Sequence, residues 1–162
     1  GAVGVEGPRG VGGVAGSGRG AWWMIGIDNF RSVNDLNGHI AGDRLLSARS
    51  EMSRSLLPRG ALAARLGGDE FVILLNNATH DQIVTLGGLL RQRFQDAASQ
   101  AFSTPEPVTL SIGASLFNHP PASLSALIEQ GDAALYESKR GGRDSIRLVD
   151  RTQAAEAASQ SS

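Results

Sequence analysis

The stretch "LAARLGGDEFVILL", residues 62–75, sets two apolar runs on either side of Gly67-Gly68-Asp69-Glu70. Runs of this length, flanked by turn residues, read as strands, Leu62–Leu66 and Phe71–Leu75, closed into a hairpin. An ordinary tight turn would need only an Asn-Gly or Asp-Gly pair. Here two glycines leave bare backbone beside two carboxylates, Asp69 and Glu70.

The rest of the body alternates strands with helices. Trp22 to Asp28 reads as a short buried strand, followed by a polar turn region, "NFRSVNDLNGHIAGD", rich in Asn, Gly and Asp. Leu45, Ala48, Met52 and Leu56 recur at helical spacing until Pro58 stops them. Thr79 with Gln82 forms a capping box ahead of a helix carrying Ile83, Leu86, Leu90 and Phe94. "VTLSIGASL" places Val108, Leu110, Ile112, Ala114 and Leu116 on one strand face. Leu124, Leu127, Ile128 and Leu135 mark a last helix, closed by Gly141-Gly142, and "SIRLV" follows as a strand. The order β-α-β-β-α-β-α-β predicts an α/β fold of the α+β sandwich kind. In it a central mixed, mostly antiparallel sheet is flanked by helices, with the GGDE hairpin between two central strands.

Composition narrows the function. The chain has 162 residues, enough for one domain with its own core, and a net charge of −1. That charge argues against a nucleic-acid or membrane partner held by bulk electrostatics. The absence of cysteine excludes disulfides, zinc knuckles and thiol nucleophiles. No apolar run approaches a membrane span and no signal peptide opens the chain, so a cytoplasmic protein is expected. The first twenty residues hold nine of the 21 glycines and read as a flexible segment. Residues 150–162 read as a disordered tail, which leaves 21–149 as the folded domain.

Four blocks in this order resemble the GGDEF family, the diguanylate cyclases: "IDNFRSVNDLNGHIAGD" (27–43), "RLGGDEFVIL" (65–74), "VTLSIGAS" (108–115) and "GDAALYESKRGGRD" (131–144). The resemblance implies a nucleotidyl-cyclase-like fold. It also implies condensation of two GTP to cyclic di-GMP with loss of two pyrophosphates, using Mg²⁺ or Mn²⁺. Because each domain presents one GTP, a second GGDEF protomer is expected, as is an upstream sensor domain. By the same resemblance Gly67, Gly68, Asp69 and Glu70 form the catalytic hairpin, with Glu70 and the Ile27 backbone carbonyl as metal ligands. Asn34 and Asp43 match the residues that read guanine, whose N1–H and amine can donate to a carboxylate. Phe30 and Arg31 match the family's Phe-Lys pair, and Lys139 and Arg143 match the basic pair on the phosphates. Taken singly, Asn34 and Asp43 read as ordinary turn residues, Lys139 and Arg143 as charges near a helix C-terminus, and His39 as a local hydrogen-bonding group.

The chain departs from the family pattern in three places. The family's first strand ends Asp-x-Asp-x-Phe-Lys, and its first Asp is a metal ligand; here the stretch is "GIDNFR", with Gly26 at that position. Asp28 shares a strand face with position 26 but lies about 6–7 Å further along, so it reaches a metal there only through a water. Weakened activity is expected, with a catalytically silent GTP-binding regulatory module, or a poorly folding relic, as the alternatives. Pro58 and Ala61 stand where an inhibitory product site would have Arg and Asp, so that site is expected to be absent. The glycine-rich stretch also replaces the family's usual first helix, which suggests a truncated or disrupted gene start.

Overall fold

The computed structural model describes residues 19–67, 69–119 and 123–152. The glycine-rich segment up to residue 18, the tail from 153 and Gly68 lie outside the described residues. The elements are β1 (Gly20–Ile27), α1 (Phe30–Asn37), α2 (His39–Leu56), β2 (Leu62–Gly67), β3 (Glu70–Asn76), α3 (His80–Ala101), β4 (Leu110–Phe117), α4 (Leu124–Arg140) and β5 (Ser145–Asp150). Five strands form one sheet in the order β2-β3-β1-β4-β5. Every neighbouring pair is antiparallel except β4 and β5, which run parallel. The expected mixed, mostly antiparallel α+β sheet is therefore present. One detail differs: β2 is an edge strand, so the hairpin joins an edge to the interior and not two central strands.

The larger correction concerns residues 29–43, read from sequence as turns. They form α1 and the first residues of α2. Phe30 and Val33, three apart, turn one face of α1 to the core, and Val33 is fully buried. Only Asn29 (φ 61°) and Gly38 (φ 86°) take backbone conformations that break a helix. Gly38 separates two helices that the composition ran together. The other boundaries follow the sequence closely. Thr79 and Gln82 make the capping box in full, α2 ends two residues before Pro58, and α4 stops at Gly141.

Helices cover both faces of the sheet. Trp23, Ile25, Phe71, Ile73 and Ile112 meet Leu45, Leu90 and Phe94 from α2 and α3 in the larger core. On the opposite face Trp22, Met24, Val72 and Leu74 pack with Leu127 and Leu135 of α4. Burying each such side chain contributes about 1.5–3 kcal/mol before entropy is counted. β4 is buried on both sides, and its second face carries Ser111, Gly113 and Ser115. A methyl on Gly113 would overlap the backbone of Ala134 and Leu135, so α4 rests directly on β4. That contact fixes the depth at which α4 presents its other side chains. None of the described helices is long and apolar enough to cross a membrane.

Candidate functional site

β1 and β3 pair with Ile25 opposite Phe71. Carried one residue further, that register sets Gly26 across from Glu70, on the face covered by α4. Two acids in those positions would be cross-strand neighbours about 5 Å apart, a repulsive pair unless a cation lies between them. Here only Glu70 is an acid. Asp132, Leu135 and Lys139 share one face of α4 by their spacing, and Lys139 reaches over Gly26. A Cβ at position 26 would lie 3.1 Å from Lys139 Nζ and 3.2 Å from its Cε. The ammonium thus fills the space that the missing side chain leaves. Burial pushes the Glu70 carboxyl above its ordinary pKa, Asp132 and Asp69 push it further, and Lys139 opposes them.

Two further acids of this corner, Asp69 and Asp28, are hydrogen-bonded within the fold. Asp69 Oδ2 accepts from the Ile27 backbone N–H at 2.9 Å and ties the hairpin tip to the end of β1. Asp28 is 2% exposed, and three donors satisfy its carboxylate. Thr109 Oγ1 donates to Oδ2 and Ser111 Oγ to Oδ1, each at 2.7 Å, and the Asp144 N–H donates to Oδ2 at 2.9 Å. These bonds turn the Asp28 oxygens to β4 and the loop after α4, so the water-bridged metal contact expected of it would have to share a carboxylate already holding three donors. That loop takes positive φ at Gly142, Arg143 and Asp144 in succession. It is held by Asp28 and by Arg91, which pairs with Asp144 Oδ1 at 3.1 Å. Asp28 therefore positions the backbone that carries Arg143.

Arg49 went unnoticed in the sequence. It is fully buried in α2, donates through Nη1 to the Asp69 carbonyl, and lies 4.9 Å over the Phe71 ring. Its Nε and Nη2 have no partner among the described residues. Burial lowers its pKa to about 10, with Arg65 acting in the same direction and Asp69 against them. The available signal was a charge at inner-face spacing, four residues after Leu45. Ser111 and Thr109 were likewise visible only as small polar residues on the second face of a strand.

Around the end of β1 runs a groove of about 350 Å³, lined by Ile27, Phe30, Arg31, Asp69, Lys139 and Arg143 among others. Three cations stand against two carboxylates, Asp28 and Asp69, both engaged in hydrogen bonds, and the surplus of positive charge suits an anion. Two larger hollows, each about 630 Å³, lie elsewhere; one has no charged lining residue and the other has Asp81 alone. Phe30 is half-buried against the core, while Arg31 and Arg143 are exposed. At the α1–α2 junction a methyl on Gly42 would overlap Asn34 Oδ1 and come within 3.2 Å of Phe30 Cζ. The bare Cα lets the Asn34 amide lie against the start of α2, next to exposed Asp43. Gly67 ends β2 after a register shift and pairs with Glu70.

Among the described residues no group of three acidic, histidine or cysteine side chains converges to hold a metal ion. With Asp28 and Asp69 committed and Lys139 over Gly26, the donor set does not fit a cation held by the protein alone. Glu70 remains, with Asp132 of α4 near enough to raise its pKa.

Comparison with known proteins bears on the family and the fold. The family described as "Diguanylate cyclase, GGDEF domain" matches residues 17–145. Diguanylate cyclase A of Treponema denticola is 35% identical over 125 residues, covering 77% of this chain and 34% of that protein. The active GGEEF domain of a diguanylate cyclase from Vibrio cholerae superposes with a TM-score of 0.71 at 31% identity, covering 80% of this chain and 82% of that one. The diguanylate cyclase SiaD of Pseudomonas aeruginosa, solved with its activator SiaC, gives a TM-score of 0.72 at 29% identity, over 82% of this chain and 50% of that one. The chain spans about a third of the length of the curated relative from Treponema denticola.

Proposed function

The chain belongs to the GGDEF domain family, and on that premise we propose that it carries out diguanylate cyclase chemistry at a reduced rate. In this reading Asn34 and Asp43 select guanine, since adenine offers no N1–H to the carboxylate. Arg31, Lys139 and Arg143 hold the triphosphate in the groove. The hairpin tip, Gly67 to Glu70, gives the ribose and α-phosphate room beside the backbone. A second protomer faces the first, so that the 3′-hydroxyl of one GTP attacks the α-phosphorus of the other and pyrophosphate leaves. Repeating the step in the opposite sense closes cyclic di-GMP. A divalent cation, magnesium or manganese, would arrive with the triphosphate, and Glu70 and the Ile27 carbonyl are the donors proposed for it.

The observation that carries the reduced rate is Gly26 opposite Glu70 with Lys139 above it. Gly26→Asp restores the second carboxylate, and Lys139, at its flexible end, has room to swing aside. Cyclic di-GMP production should rise by about tenfold or more, followed chromatographically with GTP and Mg²⁺. Equal turnover in the two proteins would remove the metal-site explanation. The same lysine also favours a second reading, a GTP-binding regulatory module that turns nothing over. Calorimetric GTP binding by both proteins, with product from neither, would select it.

A further inference from the structure

An ammonium in the space of a lost carboxylate changes more than the rate. With an acid at position 26, a divalent cation would neutralise both that acid and Glu70, and a nucleotide would meet the cation. Here the side of Glu70 that faces Gly26 already holds a positive charge belonging to the protein. The point where the lysine leaves α4 is set by the Gly113 contact and by Leu135 packing beside Gly26, and from there its side chain places the ammonium over position 26. Lys139 also lines the groove with Arg31 and Arg143, so it is open to an incoming anion. A free divalent cation brought to this place would be repelled by the ammonium and would lack the cross-strand acid at position 26 as a partner to Glu70.

We infer that Lys139 takes over the cation's part in nucleotide capture, so that this chain binds guanosine triphosphate without a divalent metal. The metal then matters for turnover alone. The inference deepens the proposed function and rests on it, because it requires the groove to be a GTP site.

The test is equilibrium binding of the α-thio analogue of GTP to the full chain, in EDTA and in Mg²⁺, with no turnover measured. The two dissociation constants should agree within about threefold, where a metal-dependent site would separate them by roughly tenfold or more. Lys139→Gln should lose about tenfold or more in EDTA and distinctly less in Mg²⁺, since the metal can now enter the vacated space. Binding by the native chain that needs Mg²⁺ overturns the inference and leaves the nucleotide site standing. A Lys139→Gln loss equal in both buffers also overturns it, by reducing Lys139 to an ordinary phosphate contact. Absence of binding in both buffers removes the inference and the proposed function together. The native chain alone gives a decision if the variant does not fold.

Discussion

The α1–α2 junction and the groove at the end of β1 differ in how far their polar side chains are engaged within the fold. At the junction, the proposed base end, Asn34 is seated by the close approach at Gly42, beside exposed Asp43. At the groove, the proposed phosphate end, Asp28 and Asp69 are tied into hydrogen bonds, and the space beside Glu70 holds a lysine. Under the proposed function, selecting a nucleotide and reacting it would therefore be separable. The first depends on short-range helix packing, and the second on a strand end, a hairpin tip and a helix from three parts of the sequence.

Gly113→Ala is the strongest way to disturb the phosphate end alone. Its methyl meets helix backbone, which cannot rotate aside, so α4 must lift from β4 at a cost of about 3 kcal/mol. A urea midpoint within error of the native value would show that α4 is not seated as described. Asp28→Asn comes next, at about 2 kcal/mol, because the amide offers fewer acceptors to three donors and removes the charge that strengthens them. Its effect on GTP affinity should pass through Arg143, so the double variant with Arg143→Ala should add less than the sum of the singles.

Gly42→Ala tests the base end. It should cost about 1 kcal/mol in stability while weakening GTP by roughly tenfold, as Asn34 is displaced. ATP affinity, measured in parallel, should change little; an equal loss for both nucleotides would break the assignment of this end to the base. The smallest effect belongs to Glu70. Its folded pKa lies above the unfolded value, so the native state favours the protonated form and the ionised carboxylate costs stability as pH rises through the folded value. Glu70→Gln should thus raise the melting temperature slightly at pH 7, with the gain fading as pH falls through the raised folded pKa and gone below the ordinary glutamate value of about 4.3. A gain that grows on acidification would contradict the raised pKa.

Much of the scaffold was legible because its signals are local. The hairpin, the Thr79–Gln82 box and the end of α2 before Pro58 rest on residues within one turn of each other. α1 was missed because Asn, Gly and Asp favour turns on average, whereas burial of Phe30 and Val33 outweighs that preference here. Arg49 was missed because its charge on the inner face of α2 is satisfied only by the Asp69 carbonyl and the Phe71 ring, which come from another element.

The sequence by itself determined the fold class, the motif order and the loss of an acid at position 26, since these depend on residue type and spacing. Only the tertiary structure decided which donors Asp28 meets and that Lys139 stands in the gap. The partners that claim Asp28 lie 81, 83 and 116 residues away along the chain. Spacing fixes the direction in which a side chain leaves its own helix or strand. Where a long lysine ends, and which donors a carboxylate meets, depends on how distant elements pack.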